Sequence, residues 1–198
     1  MRKYINIVLA ALVTLTTFSC TKKADVDGIE PKLPAIQLSS LGYQQVGPFT
    51  IAGSTANTLL INFGATLTNQ QTGAFKLELL EQQPTVGGVT PPPVLKATVN
   101  FASWNGNDDT STPFVPAVPA TPTTPAIPAK AAVIVHTITA TPQPTTFKNT
   151  QALAGTILLK LSALGLTAGK TYTARATAYN KDGSKSSVFT QSSFFITK

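Results

Sequence analysis

The chain has 198 residues, 42% of them hydrophobic, and 15 basic against 8 acidic side chains give it a formal net charge of +7. Only 12% of its residues are charged, well below the quarter or so usual in soluble domains. A single cysteine rules out an intramolecular disulfide and any multi-thiolate zinc or iron–sulfur centre, and a single histidine, His136, rules out multi-histidine metal clusters.

Residues 1–19 read as an export signal, in which Arg2 and Lys3 precede the apolar run Tyr4–Phe18. That run is shorter than the roughly 20 apolar residues needed to cross a bilayer and is interrupted by Asn6, so a spanning helix is not expected. Ser19-Cys20 follows, and a small residue directly before the only cysteine, at the end of an apolar run, resembles the lipobox of bacterial lipoproteins. With Thr17 and Phe18 ahead of it, the pattern is similar to the looser lipobox of Bacteroidota lipoproteins. The resemblance implies cleavage before Cys20, its lipidation and a place in the bacterial cell envelope, with Thr21 in the next position pointing to the outer membrane. Residues 20–35 then read as the lipidated N-terminus and a flexible tether, with Asp25, Asp27, Gly28 and Pro31 as turn formers. Cleavage would remove Arg2 and Lys3, and apart from Lys22-Lys23 the remaining lysines stand singly, with no basic stripe suited to a nucleic-acid backbone.

From residue 36 the pattern is all-β, since Thr, Val, Ile, Phe and Tyr are abundant and Gly, Asn and Pro interrupt the chain at short intervals. Strands are expected near Ala35–Leu41, Pro48–Ala52, Leu59–Phe63, Phe75–Leu79, Val94–Phe101, Val133–Ala140, Thr156–Leu161, Tyr172–Tyr179 and Val188–Ile196. Phe75, Leu77 and Leu79 alternate with Lys76 and Glu78, which gives a strand with one apolar and one charged face. Tyr172, Ala174, Ala176 and Ala178 share a face in the same way, and Asn180–Gly183 supplies the turn into the last strand.

The stretch from Leu164 to Gly183 resembles the end of a fibronectin type III domain, or of a close immunoglobulin-like relative. Leu166, Gly169 and Tyr172 match its tyrosine corner, and Ala178 and Asn180 match the close of the following strand. The resemblance implies an immunoglobulin-like β-sandwich, with Phe63 standing where that family carries a tryptophan and Tyr172 in a structural role. Residues 36–198 are thus read as one sandwich that carries a proline-rich insertion over 83–130. Without the insertion, residues 36–82 and 131–198 match the roughly 100-residue size of one such domain.

Inside the insertion proline recurs at 113, 116, 119, 122, 125 and 128. A period of three is that of polyproline II, so residues 113–128 are expected as a rod of about 50 Å at roughly 3.1 Å per residue. Val94–Phe101 and Val133–Ala140 are expected to pair as the hairpin that carries it.

Chemistry-bearing constellations are scarce. His136 alternates with Ile134 and Ile138 and has no carboxylate near it in sequence, Glu78 and Glu81 point to opposite faces of a strand, and no phosphate loop, zinc signature or nucleophile elbow occurs. Catalytic residues, metal ligands and cofactors are therefore not expected. One cluster has binding chemistry. Trp104, Asn105, Asn107, Asp108 and Asp109 set an aromatic face beside amides and carboxylates, which suits a glycan, or a calcium ion held by the oxygens; the alternative is a turn with Trp104 folded against the sandwich. The expected function is that of a non-enzymatic envelope lipoprotein acting as a binding or spacer module, held to the membrane by lipid. The alternatives are a glycan-binding accessory lipoprotein of an outer-membrane polysaccharide-utilisation system and a structural partner of an envelope protein complex.

Overall fold

The structure, a computed structural model, describes residues 33–51, 57–112, 115–119, 125–131, 133 and 135–198. The expected signal segment 1–19, Cys20 and the tether up to residue 32 lie outside the described residues.

In chain order the strands are β1 Ile36–Tyr43, β2 Thr58–Thr68, β3 Thr72–Glu81, β4 Val94–Phe101, β5 Gly106–Asn107, β6 His136–Gln143, β7 Thr150–Lys160, β8 Thr171–Asn180, β9 Ser186–Thr190 and β10 Phe195–Ile196. They form two antiparallel sheets. One runs β1-β2-β7-β6-β5; the other runs β4-β3-β8, with β9 and β10 both pairing along the outer edge of β8. The order β1-β2-β7-β6 against β4-β3-β8-β9 is the ABED over C′CFG arrangement of immunoglobulin-type sandwiches.

Alternation of side chains builds the core. Leu59, Ile61, Phe63, Ala65 and Leu67 of β2 face inward with Leu153, Ile157 and Leu159 of β7; from the second sheet come Phe75, Leu77 and Leu79 of β3 with Tyr172, Ala174, Ala176 and Ala178 of β8. Full burial of each large aliphatic or aromatic side chain is worth about 1.5–3 kcal/mol, so these four strands dominate the stability of the domain. Gly155 is required at its place in β7, because a Cβ there would collide with the ring of Phe63 and come within 2.7 Å of the Thr139 carbonyl.

The expected strands are present with shifted ends. The one placed at Thr156–Leu161 begins already at Thr150, because β7 pairs with β2 over its whole length, from Thr68↔Thr150 to Thr58↔Lys160. Val188–Ile196 divides into β9 and β10, since the Thr173 hydroxyl donates to the Gln191 carbonyl at 2.7 Å and the chain bends through Ser192 and Ser193 before it pairs again. Around Phe49 there is a single parallel bridge to Thr197 in place of a strand, and Ala52 lies outside the described residues.

Two expectations about the middle of the chain are corrected. The strands β4 and β6 do not pair as a hairpin: β4 lies beside β3 in one sheet and β6 beside β7 in the other, and the chain crosses between the sheets through Trp104 and β5. Residues 83–130 are therefore not one insertion. Val99, Phe101 and Trp104 within them are core residues, and the excursions from the sandwich are residues 82–93 and the segment between Thr112 and Val133.

Candidate functional site

Trp104 is fully buried. Its indole packs edge-on against Phe63 at 6.0 Å and Phe75 at 5.7 Å, and its Nε1 donates to the Ala74 carbonyl at 3.2 Å. A segment that joins two sheets must carry its largest apolar side chain into the space between them, so no ring face is left for a sugar. The glycan expectation at Trp104 is corrected accordingly, in favour of the turn with Trp104 folded inward.

The rest of that cluster is engaged within the fold. The Asn105 Oδ1 accepts the Ala140 amide at 2.8 Å, the Asp109 carboxylate accepts the Asn100 amide group at 3.1 Å, and Asn107 is exposed on β5. Asp108 is buried at the seam between the sheets, where its main chain bridges to Phe101 and its amide donates to the His136 carbonyl. One carboxylate oxygen accepts the Ser111 hydroxyl at 2.5 Å and the His136 amide at 3.0 Å, while the other takes the amide and hydroxyl of Thr110. Burial alone would raise the Asp108 pKa, but the bonds from Ser111, Thr110 and the His136 amide together hold it below the usual carboxylate value. No group of three or more metal-ligating side chains occurs among the described residues.

The seam also brings His136 and Asp108 together, a proximity invisible in sequence. Their contact is not that of a catalytic dyad, because Asp108 binds the main-chain amide of His136 while the imidazole Nδ1 accepts the Lys160 amide at 3.0 Å. The ring proton is thereby assigned to Nε2. Burial pushes the pKa of His136 below its ordinary 6.5 against the attraction of Asp108.

At the opposite edge of the second sheet the expected corner is formed. The Tyr172 hydroxyl accepts the Thr167 amide at 2.8 Å, Gly169 takes the left-handed conformation at φ 73°, and the ring stacks on Phe195 at 5.5 Å. Glu78 lies on the outer face, where the Arg175 guanidinium at 2.8 Å, opposed by burial and helped by Lys76, lowers its pKa. Glu81 lies beside Tyr172, with Lys96 at 3.2 Å.

The longest excursion from the sandwich is the proline segment. Instead of running on as a rod, it doubles back as a two-stranded ribbon. Thr112 pairs with Val133, Val115 with Lys130 and Val118 with Ile127, each through two reciprocal N–H···O bonds of 2.9 Å. Proline has no N–H, so pairing is confined to positions between prolines, and a period of three on both arms sets those positions opposite one another. Thr112, Val115, Val118 and Ile127 each stand directly before a proline. A period of three by itself reads as a rod; the pairing is signalled by the β-branched residues at Thr112, Val115, Val118, Ile127 and Val133, which carry both the hydrogen bonds and an extended preference.

The ribbon leaves β6 at His136, which pairs with Leu159 near the end of β7, whereas the chain enters the sandwich at Ile36, paired with Leu67 at the far end of β2. Entry and ribbon thus stand at opposite ends of the first sheet, separated by the length of β2. No protein-family model matches this chain, and no curated protein matches it either.

Proposed function

We propose that this protein is a non-enzymatic envelope lipoprotein, fixed to the outer membrane through Cys20, whose sandwich serves as a spacer that presents the proline ribbon to a partner in the envelope. The observation that carries this reading is the separation just described. The arm leading from Cys20 joins one end of the first sheet and the ribbon departs from the other, about 26 Å away over the span from Leu59 to Leu67 at roughly 3.3 Å per residue. The buried polar side chains support it as well, because Asp108, His136, Asn180 and Thr197 spend their hydrogen bonds on the fold. Between the two binding readings, an envelope protein is favoured over a glycan, since the aromatic residue that a glycan reading needs is buried.

The anchoring is tested by fractionating cells that express the native chain or Cys20→Ala. The native chain is expected in the membrane fraction and the variant in the soluble fraction; equal distribution of the two would remove lipidation from the account.

A further inference from the structure

Because the ribbon repeats every three residues on both arms with the same hydrogen bonds at each step, successive pairs are equivalent by translation. Val115, Val118, Ile127, Lys130 and Val133 therefore carry their side chains to one face. Val115, Val118, Ile127 and Val133 are 43%, 47%, 52% and 50% exposed, and none belongs to the core of the sandwich. We propose that this face docks into an uncharged, aromatic-lined groove of a partner protein that closes over both arms of the ribbon. The inference rests on the envelope reading for where that partner is met.

Three observations choose this occupant. Strand addition is blocked, because Pro116, Pro119, Pro125 and Pro128 leave the outer edges of the arms without a regular row of donors, so recognition must run through side chains. A second copy laid ribbon against ribbon would bury only four half-exposed aliphatic side chains from each molecule, far short of the roughly 1,200 Å² of a stable interface. A groove that closes over both arms also covers the proline rings beside that face, a larger contact than a flat copy of the same ribbon offers. Charge supplies the third observation. Lys130 is the one formally charged side chain between Asp109 and Lys148, and its long stem lets the ammonium reach water at the rim of the groove, so neither an acidic partner nor a layer of lipid headgroups finds a matching pattern. Proline rings and aliphatic side chains on a preformed backbone are instead the chemistry that aromatic grooves recognise.

The test is photo-crosslinking of the full-length protein in cells that carry its native gene. A benzophenone amino acid replaces Val118 or Ile127, one on each arm, with Val188, exposed on β9, as the control position. The expected result is one and the same protein adduct from both arms and none from Val188, with the joined peptide of the partner coming from an uncharged, aromatic-containing segment. With the photoreactive group moved to Val133, the double change Val118→Asp and Ile127→Asp is expected to lower adduct yield at least about tenfold, since each carboxylate would be desolvated in the groove. Both side chains are exposed, and an unchanged thermal melt of the double variant establishes that it is folded. Adducts to lipid or to a second copy of the chain, equal adducts from Val188, or no adduct from either arm would each overturn the proposal. Cys20→Ala protein that stays in the membrane fraction with intact ribbon adducts would overturn the anchoring alone, which keeps the two readings separable.

Discussion

Trp104 and the pair formed by Asp108 and His136 decide how the residue scale is read. Trp104→Ala removes a side chain that fills the space between Phe63 and Phe75, and it is expected to cost about 3–5 kcal/mol in urea unfolding. A loss below about 1 kcal/mol would show that the indole is not in the core. His136 gives a pH signature. Its pKa in the folded chain is below the 6.5 of the unfolded chain, so the unfolded chain takes up the proton first as pH falls. The stability linked to its neutral form is complete above about pH 6.5 and declines as pH drops towards the folded value. His136→Asn keeps an acceptor for the Lys160 amide and removes the titration, so its melting temperature is expected to stay flatter than wild type between about pH 7.5 and 5.5. Asp108 acts lower, because its depressed pKa withdraws stability only below the ordinary carboxylate value of 3.8. At this scale Tyr172 was legible, since a corner is set by a leucine, a glycine and a tyrosine a few residues apart. The burial of Trp104 was not, because a polar run of Asn and Asp around a tryptophan looks the same whether it caps a crossing between sheets or lies open to solvent.

Elements follow the same division between local and non-local information. Alternating segments such as β2, β3 and β8 declared themselves, because a period of two is a local property of the chain. The partner of each strand is not local: β4 and β6 flank a long excursion and look like a hairpin, yet β4 is held by β3 and β6 by β7. The proline ribbon makes the point most sharply, because a period of three fits a single rod and a self-paired ribbon equally well until the second arm is placed. Its register is open to test. Deletion of Ala117 draws the chain forward by one position and brings Pro119, which has no N–H, into the place opposite Ile127. The amides of Val118 and Ile127 are then expected to lose protection from hydrogen exchange, while Thr112 and Val133 at the base keep theirs. Removal of one whole triplet from each arm is expected to preserve protection, and unchanged protection after the single deletion would contradict pairing through the third position.

As a whole, the molecule separates its jobs by position. The core of the sandwich, built from β2, β7, β3 and β8, holds the fold; the seam at Asp108 closes one side between the sheets, and β1 closes the other through the Tyr43 hydroxyl, which accepts the Ala174 amide at 2.7 Å. Burial pushes the pKa of Tyr43 up to about 12, so its hydroxyl stays neutral across the neutral and mildly alkaline range. The longer of the two excursions from the sandwich is the ribbon, at the end of the first sheet away from the chain's entry. The most direct test deletes Pro113–Pro128, a change that leaves Thr112 and Val133 joined by a short loop at the ribbon base, and compares membrane-extracted protein by native electrophoresis. The variant is expected to melt like wild type, stay with the membrane and migrate as the free protein, while wild type migrates in a larger assembly. A variant that keeps the wild-type assembly would contradict the claim that the ribbon is the element presented to a partner.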